Sequence, residues 1–430
     1  LRQTSAATGV GTLASSLAFP SLLRAQGTAD KLKVGWIGCG GRGTGAANQA
    51  LSADSNIELW AVGDVFQDKI DMSLEVLKKQ FEKTPEKVNV AQERMFTGLD
   101  AYKGVIDSGC DVVLLTTSPG FRPQHIKACV DAGKHVFAEK PMAVDAPGVR
   151  SVMESVRRAK EKNLAMVDGF VWRWTYANRD AYEKIHSGAI GDITAIYSSY
   201  YTGAVDRYPK WNRQNTKTDL EWQIRRWYYF TWLSGDHVVE QAVHSIDKML
   251  WAMKDEPPAK VVCTGGRQMR PGEPGGEYGN IFDHFSAEYA WESGVKGYHF
   301  TRQMDKCHSE NSDTIFGTRG VYQGESGSKR HVIIKSDEPW RWKGTVNNGY
   351  QTEHDEMYAS IRAGKAINTG DRFCKTTMMA IMARMSAYTG KEITWEMAMK
   401  SEEDTFPKDI QWDMKFPVAP VARPGQTPFI

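Results

Sequence analysis

The sequence predicts an α/β protein built from an N-terminal Rossmann domain with a doubly wound parallel sheet and a C-terminal α/β domain with a large, mostly antiparallel open sheet. Up to Gly169, short apolar runs alternate with helix-like segments, which is typical of a parallel sheet. Beyond it, the runs that begin at Ile193, Ala259 and His284 are spaced more widely and partly alternate with polar residues. That change favours an antiparallel or mixed second sheet.

Composition limits the classes of partner. The chain has 430 residues, 41% of them hydrophobic, which is enough for two domains with separate cores. Its 54 Lys and Arg against 52 Asp and Glu leave no field suited to nucleic acid or an anionic membrane. Six cysteines without CxxC spacing argue against a disulfide framework or a structural zinc site, so we expect mostly free thiols. The expected partner is a small molecule.

The segment from residue 1 to 30 is rich in Ala, Ser, Thr and Leu and nearly uncharged, and we expect it to be a signal-like segment. Leu1-Arg2 and the mildly apolar run that follows resemble the remainder of a twin-arginine signal, which predicts an exported, periplasmic protein. The run is too short and polar for a membrane anchor. The alternative is a disordered arm on a cytoplasmic protein.

The first βαβ unit carries a dinucleotide-binding pattern. Gly38, Gly40 and Gly43 form G-x-G-x-x-G directly after an apolar strand and at the start of a predicted helix, where backbone amides can meet a pyrophosphate. Asp64 closes the second strand, where its carboxylate can accept hydrogen bonds from ribose hydroxyls and would repel a 2′-phosphate. The pattern therefore predicts NAD, with NADP less favoured.

These glycines, the strand ending in Asp64, the TTSPGFRPQH segment and the AEKPMA segment together resemble the glucose–fructose oxidoreductase, inositol dehydrogenase and MocA (Gfo/Idh/MocA) family over residues 31–390. The resemblance implies that Lys140 lies near the nicotinamide, assists catalysis and contacts substrate, after a cis Lys140-Pro141 bond that aims it into the cleft. Without the resemblance, Lys140 would read as a solvated lysine at a strand end. Further cofactor contacts are expected from Gly41, Arg42, Thr117, Pro119, His125 and Glu139.

The segment SGDHVVEQAVHSIDKMLW predicts one amphipathic helix, with Glu240, His244 and Asp247 on its polar stripe. Oxidation of a secondary alcohol needs a group that accepts the hydroxyl proton, and we expect His244 to be this general base. Members of the resembled family usually show Asp-x-x-x-His at this place, where this chain has Glu240 and His244. We expect Glu240 to orient the imidazole or bind substrate, and Asp247 to hydrogen-bond the histidine or a substrate hydroxyl.

Two other interpretations of this segment exist. The acid and the histidine four residues apart could be a surface pair on the helix. His237, Glu240 and His244 could also share a face and bind a metal, but the resemblance implies chemistry without a metal, so none is expected.

Residues 172–232 are unusually aromatic, which suits either the C–H faces of a pyranose or packing beneath the second sheet and in a subunit interface. From this stretch, Trp172 is expected to bind substrate and Arg225 to bind an acidic sugar or to be solvated. His125 is expected to position the loop that precedes it rather than carry protons.

Together these features predict an NAD-dependent oxidoreductase acting on a ring hydroxyl of a sugar, polyol or glycoside, with tightly bound NAD and a homo-oligomeric state, dimer or tetramer. The expected divisions are the signal-like segment 1–30, the NAD-binding domain 31–168, the substrate-binding and oligomerisation domain 169–400 and an extended arm 401–430. The alternative function is an NAD-dependent glycoside hydrolase that uses transient oxidation and elimination. A sensor with a vestigial cofactor domain would be expected to lack Lys140 or His244, and the chain has both.

Overall fold

The computed structural model describes residues 30–205, 210–270, 278–327 and 330–430. The predicted signal-like segment, apart from Asp30, lies outside the described residues. Within them, no helix is long and apolar enough to cross a membrane. All six cysteines are unpaired, and only Cys307 is exposed, as expected for free thiols.

The first sheet has six parallel strands in the order β3-β2-β1-β4-β5-β6, which is the doubly wound order predicted from the sequence. Its strands are β1 (Leu32–Ile37), β2 (Ile57–Asp64), β3 (Met95–Thr97), β4 (Val112–Leu115), β5 (His135–Ala138) and β6 (Met166–Asp168). Strands β1 and β4 are buried almost throughout, because helices cover both faces of the sheet. These helices are α1 (Gly41–Ala53), α2 (Gln67–Gln80), α3 (Ala101–Asp107), α4 (Arg122–Asp131) and α5 (Ala146–Glu161).

The second sheet has nine strands in the order β14-β13-β12-β11-β7-β10-β9-β8-β15. Only the β7–β10 pair is parallel, so the predicted large and mostly antiparallel sheet is confirmed. Its strands are β7 (Ile193–Thr202), β8 (Lys260–Gly266), β9 (His284–Ala290), β10 (Lys296–Gln303), β11 (Ser312–Gly317), β12 (Val321–Glu325), β13 (His331–Ile334), β14 (Trp340–Arg341) and β15 (Ile393–Thr394).

Helices cover one face of this sheet and link it to the first. They are α6 (Tyr176–His186), α7 (Asp219–Arg225), α8 (Thr231–Ser234), α9 (His237–Glu240), α10 (Val243–Ala252), α11 (Gly349–Arg362), α12 (Gly370–Thr389) and α13 (Trp395–Lys400). Helix α12 is buried along nearly its whole length because it packs against β8, α5 and α10. Helix α11 returns to pack on α1 of the first domain. From Ser401 onward the described chain forms turns and extended segments only.

A buried ion pair joins the end of the first domain to α10. Arg173 donates from Nε and Nη2 to the two carboxylate oxygens of Asp247 at 2.8 and 2.9 Å, and both side chains are 2% exposed. The hydroxyl of Thr376 on α12 donates to the same carboxylate at 2.8 Å. Two parallel hydrogen bonds of this kind compensate for the free energy that is lost when both charged groups are removed from water.

Replacing Asp247 with Ala should therefore lower the free energy of unfolding by about 3–5 kcal/mol, because it leaves the Arg173 guanidinium buried without its main partner. Urea unfolding of the chain without ligands measures this. The exposed Asp107 supplies the control, since Asp107→Ala should change stability by no more than about 0.5 kcal/mol. Equal losses in the two variants would contradict a structural role for Asp247.

Candidate active site

The glycine loop between β1 and α1 separates two kinds of glycine. Gly38 has a positive φ of 98°, and a Cβ there would lie 2.5 Å from the backbone nitrogen of Thr117. A Cβ on Gly43 would overlap the carbonyl oxygen of Gly38. In contrast, a Cβ on Gly40 or Gly41 would have no described atom within 4 Å. Gly38 and Gly43 are therefore fixed by packing, whereas Gly40 and Gly41 border open space at the helix N-terminus.

That N-terminus is available to an anion. Among the described residues, no side chain caps α1, and its first turn contains no acidic residue. The unpaired backbone N–H groups and the helix dipole both favour a negatively charged ligand at this place.

Asp64 ends β2 as predicted, and its carboxylate also orders the loops around it. It accepts hydrogen bonds from the backbone N–H of Cys39 at 2.6 Å and of Phe66 at 2.9 Å. Burial raises the pKa of Asp64, while the two N–H donors oppose that shift. Each oxygen keeps a second lone pair, so the carboxylate can still accept from a ribose hydroxyl.

Two adjoining cavities share Gly40, Thr117 and Trp227. The side pocket encloses about 770 Å³, and its lining includes Asp64, Phe66, Lys69, Tyr102, Phe121, His125 and Arg225. The main cleft encloses about 1410 Å³, and its lining includes Gly41, Arg42, Gly43, Arg122, Glu139, Lys140, Tyr200, Glu240, Gln241, His244 and Tyr350. The loop Thr116–Ser118 lines both cavities, so one elongated ligand could occupy them together.

The helix predicted through Glu240 and His244 is broken, and this prediction was wrong. The chain forms the short helix α9 and then α10, with Gln241 and Ala242 in a turn between them. In a continuous helix, the carbonyl of Glu240 would accept the N–H of His244. Here that N–H is directed to the carbonyl of Gln241, at 3.4 Å, and the Glu240 carbonyl accepts the ammonium of Lys140 instead.

Lys140 follows β5 after the predicted cis bond to Pro141, which the structure contains. Besides the Glu240 carbonyl, its ammonium contacts the Glu240 carboxylate at 3.3 Å. Arg122 donates to the carbonyl of Pro141 and, at 2.6 Å, to that of Thr117, which ties the turn after Lys140 to the loop after β4. The lysine is thus held in the cleft from both domains.

His244 lines the main cleft opposite Lys140, in contact with aromatic rings. Its imidazole lies 5.1 Å from the ring of Trp172 and 6.0 Å from that of Phe170, between centroids. Desolvation, and then the positive charges of Lys140 and Lys248, lower its pKa well below 6.5. The imidazole is consequently neutral at neutral pH and can accept a proton.

Neither predicted acidic partner hydrogen-bonds His244 among the described residues. Glu240 is engaged with Lys140, and Asp247 is engaged with Arg173 and does not line the cleft. The expectation that Asp247 contacts the histidine or substrate is corrected, because Arg173 and Thr376 bind its carboxylate away from the cleft. Packing against Trp172 and Phe170 positions the imidazole instead.

Glu139 belongs to a buried charge cluster beside the glycine loop. Arg42 pairs with Glu139 and also reaches Glu353 on α11, at 3.4 Å, with the ring of Tyr350 4.4 Å from its guanidinium carbon. Burial, and then the charge of Glu139, raise the pKa of Glu353 well above its usual value. A side chain on Gly169 would collide with Glu139, with a Cβ only 2.6 Å from its Oε2.

Arg225 lies in the side pocket and not in the main cleft, so the structure does not place it where a reacting sugar would lie. Its guanidinium is held by Asp68 at 3.2 Å and Glu221 at 2.9 Å and packs on Phe66. The expectation of an acid-binding or solvated Arg225 is corrected, because these two carboxylates already satisfy its charge.

Of the three remaining predicted residues, one lines the side pocket and two line neither cavity. His125 is stacked on Tyr102 and lies 3.4 Å from the Thr117 hydroxyl; burial lowers its pKa to about 3, which fits a positioning role. Pro119 is buried and lines neither cavity. Trp172 also lines neither, and lies behind His244.

Most of the aromatic stretch forms a core rather than a binding surface. The buried rings include Trp222, Tyr228, Tyr229, Phe230 and Trp232, which pack with Phe121. Sequence reasoning missed eight residues that line the main cleft: Thr116, Ser118, Arg122, Gly169, Tyr200, Trp227, Gln241 and Tyr350. Six of them lay in segments already singled out: the TTSPGFRPQH segment, the aromatic stretch and the segment predicted as one helix. No pattern in those segments marked them individually, because tertiary structure brings them together.

The metal alternative has no support in the described residues, which contain no group of three His, Cys, Asp or Glu side chains able to hold an ion. His237 is 1% exposed and packs against Phe285, away from the main cleft.

Two family models match the chain in succession. Residues 32–169 match the model described as an oxidoreductase family with an NAD-binding Rossmann fold, and residues 178–323 match the GFO/IDH/MocA C-terminal domain. Together they cover most of the chain, all of the first sheet and strands β7 to β11 of the second. The open space over Gly40 and Gly41 and the uncapped α1 fit the pyrophosphate of such a cofactor.

Curated relatives include a scyllo-inositol 2-dehydrogenase (NADP(+)) from Bacillus subtilis, 27% identical over 32% of this chain and 35% of the relative. A myo-inositol 2-dehydrogenase from Thermotoga maritima is 28% identical over 37% of this chain and 42% of the relative. The matches therefore span less than half of these relatives. Among solved structures, levoglucosan dehydrogenase in complex with NADH and levoglucosan has a TM-score of 0.67 at 16% identity, covering 85% of this chain and 99% of that one. That likeness concerns the fold.

The two kinds of glycine should separate folding from ligand binding. Gly43→Ala should lower the free energy of unfolding by about 1–3 kcal/mol, since its methyl group meets backbone. Gly40→Ala should cost less than about 1 kcal/mol and still weaken NAD binding, because its methyl group enters the space for the pyrophosphate. Urea unfolding without NAD and calorimetry with NAD measure the two effects. Normal NAD affinity in Gly40→Ala would refute this assignment of the loop.

Proposed function

We propose, since this chain belongs to the Gfo/Idh/MocA oxidoreductase family, that it oxidises or reduces a ring hydroxyl of a sugar, polyol or glycoside with NAD as the hydride carrier. The observation that carries the proposal is the meeting of Lys140, Glu240 and His244 in one cleft beside the glycine loop. Bound NAD would accept the hydride from the carbinol carbon, or return it.

The cleft residues handle the hydroxyl proton. The neutral imidazole of His244 can accept that proton as the carbon–hydrogen bond breaks. The ammonium of Lys140 can donate a hydrogen bond to the reacting oxygen and stabilise negative charge that develops on it. Glu240 holds Lys140 through both its carbonyl and its carboxylate, so we assign it to positioning.

A panel of neutral sugars, inositols and anhydrosugars incubated with the purified chain and NAD tests the reaction class by mass spectrometry. Net oxidation removes two hydrogen atoms from the substrate, as a hydride to NAD and a proton, whereas hydrolysis adds water across a cleaved bond. Products that have lost hydrogen, together with NADH formation, support the proposal. Cleaved products without NADH would refute it.

Lys140→Ala and His244→Ala should each lower kcat by about 10²–10⁴, the usual cost of losing a proton-transfer group, with little change in NAD affinity. Glu240→Gln should retain more activity than Glu240→Ala, because the amide still offers an oxygen to Lys140. Steady-state kinetics on the best substrate and calorimetry with NAD give both quantities. Near-normal kcat in either alanine variant would remove that residue from the mechanism.

The pH profile follows from the sign of the His244 shift. Only the neutral imidazole can accept a proton, and its lowered pKa keeps it neutral throughout the range above pH 6.5. The kcat/KM of the wild type should therefore show no acid limb attributable to His244 between pH 8 and pH 6.5. An acid limb near pH 6.5 that His244→Ala abolishes would contradict this assignment.

We also propose NAD rather than NADP as the preferred cofactor. The carboxylate of Asp64 would repel a 2′-phosphate. Of the two cations that line the same pocket, Lys69 acts electrostatically on Asp64 itself, and Arg225 is already engaged by two carboxylates. NAD should bind more tightly than NADP in calorimetry, and Asp64→Asn should narrow the difference. Equal or tighter binding of NADP to the wild type would refute the assignment.

Tight cofactor retention and export form one linked proposal. Outside the cytoplasm no recyclable NAD pool is expected, so an exported enzyme must hold its cofactor through many turnovers. The side pocket is lined by residues of both domains, which Arg225 and Asp68 join by a hydrogen bond, and contacts from two domains favour slow release. To test retention, protein purified without added NAD is denatured, and the released compound is identified by mass spectrometry. To test export, cells that express the gene are fractionated, and the protein is located. Clean apoprotein in the cytoplasm would contradict both.

For the oligomeric state we propose a dimer or tetramer built through the uncovered face of the nine-stranded sheet. That face carries Val262, 49% exposed, and Phe316, 41% exposed, and the half-buried rings of Tyr197 and Phe300. Light scattering of the wild type should give a multiple of the chain mass, and Phe316→Glu should lower it. A monomer at high concentration would overturn this proposal.

A further inference from the structure

We propose that Gln241 is a specificity-determining residue whose amide offers only a hydrogen-bond donor to the main cleft, and that it thereby selects substrates carrying an oxygen acceptor at a position near the reacting hydroxyl. The identity of the ligand rests on the proposed function; the orientation of the amide does not. Gln241 directly follows Glu240, which holds Lys140, and it lines the main cleft.

The orientation begins at Arg270, which is 4% exposed. A guanidinium can only donate hydrogen bonds. Arg270 donates to the carbonyl of Phe282 and to the side-chain oxygen of Gln303, which is 1% exposed. The oxygen of the Gln303 amide must therefore face Arg270, and its Nε2 must face the opposite way.

The orientation of the Gln303 amide determines that of the Gln241 amide. Its Nε2 donates to Oε1 of Gln241 at 2.5 Å and to the hydroxyl of Tyr228 at 2.5 Å. The Tyr228 hydroxyl in turn donates to the same Gln241 oxygen at 3.2 Å. Reversing the Gln241 amide would direct its N–H groups at those of Gln303, leaving buried donors unsatisfied, so Oε1 is fixed as the acceptor of two hydrogen bonds.

What remains for the cleft is Nε2 of Gln241, which has no hydrogen-bond partner among the described residues. An N–H₂ group in this position can bind a hydroxyl, ring or carbonyl oxygen. An ammonium group, which only donates, would leave donor facing donor. A site that hydrogen-bonds one substituent of its substrate discriminates strongly against an analogue that cannot form that hydrogen bond. The cleft should therefore favour neutral sugars or polyols over the amino sugar that carries nitrogen at this position.

Neutron diffraction from wild-type crystals grown in D₂O tests the orientation without any substrate. Deuterium on the Gln241 atom that faces the cleft, and none on the atom that faces Gln303, is the expected result. The reverse arrangement would overturn the proposal.

Two variants reverse the polarity from different places. Gln241→Glu puts a carboxylate oxygen towards the cleft. Gln303→Glu changes no side chain that lines the cleft. Its carboxylate can accept hydrogen bonds from both Arg270 and the Gln241 amide, so the Gln241 amide must turn and present its oxygen to the cleft. The Tyr228 hydroxyl then donates to the introduced carboxylate and accepts from Gln241. The exposed Gln92→Glu carries the same change of charge as a control.

Binding of D-glucose and of its mono-amino-monodeoxy derivatives is measured by calorimetry on each holoenzyme, with folding checked by circular dichroism. Wild type and Gln92→Glu should bind at least one of the amino sugars about tenfold or more weakly than they bind D-glucose. Gln241→Glu and Gln303→Glu should bind that same amino sugar about tenfold or more tightly than wild type does. If folded Gln303→Glu still prefers D-glucose over that amino sugar as wild type does, the proposed control of Gln241 by Gln303 is overturned. If none of these sugars binds any variant, D-glucose and its amino derivatives are excluded as substrates of the proposed reaction, while the neutron maps of wild type and Gln303→Glu still decide the orientation.

Discussion

The bond between Lys140 and the backbone carbonyl of Glu240 is the constraint on which the site depends. It joins the turn after β5 of the first sheet to the end of α9, so it fixes the two domains relative to each other at the reacting position. Because the chain leaves the helix after Glu240, no N–H of a following helical turn competes for this carbonyl. A continuous helix would direct the N–H of His244 at the same oxygen, which Lys140 would then have to share. Breaking a helix here exchanges one internal hydrogen bond for an interdomain contact.

The charges around His244 follow from the same arrangement. Lys140, Lys248 and Arg42 all lower the pKa of its imidazole, and each of these cations has a carboxylate partner: Glu240, Asp313 and Glu139, respectively. The histidine itself has no acidic partner among the described residues and packs between rings. The cations in and around the cleft are therefore kept in place by acids, while the imidazole that we propose as the general base is neutral and has no acidic partner among the described residues.

Features encoded in a short stretch of sequence were predictable. The glycine spacing after an apolar strand, Asp64 at the end of the next strand and the bond before Pro141 each depend on neighbours in the chain, and the structure has them where they were expected. The helix break was not predictable, because the periodicity of residues 234–251 suits a helix and the opposing requirement comes from Lys140, a hundred residues away. Asp247 was misassigned for a similar reason: its partner Arg173 lies on another element. Gln241 carried no signal, since its meaning depends on Gln303 and Arg270.

The cofactor site is consequently a property of the whole chain and not of the first domain alone. Trp227 lines both cavities, and Arg225 reaches across to Asp68 on α2 while packing on Phe66, which follows β2. A dinucleotide lying along the glycine loop would contact both domains at once. Since any ligand that binds only the assembled form stabilises it, binding free energy at this site must also hold the domains in the arrangement that brings Lys140 to Glu240. Dinucleotide binding and the contact between Lys140 and Glu240 are therefore thermodynamically linked: the arrangement that we propose for proton transfer is favoured most when the dinucleotide is bound.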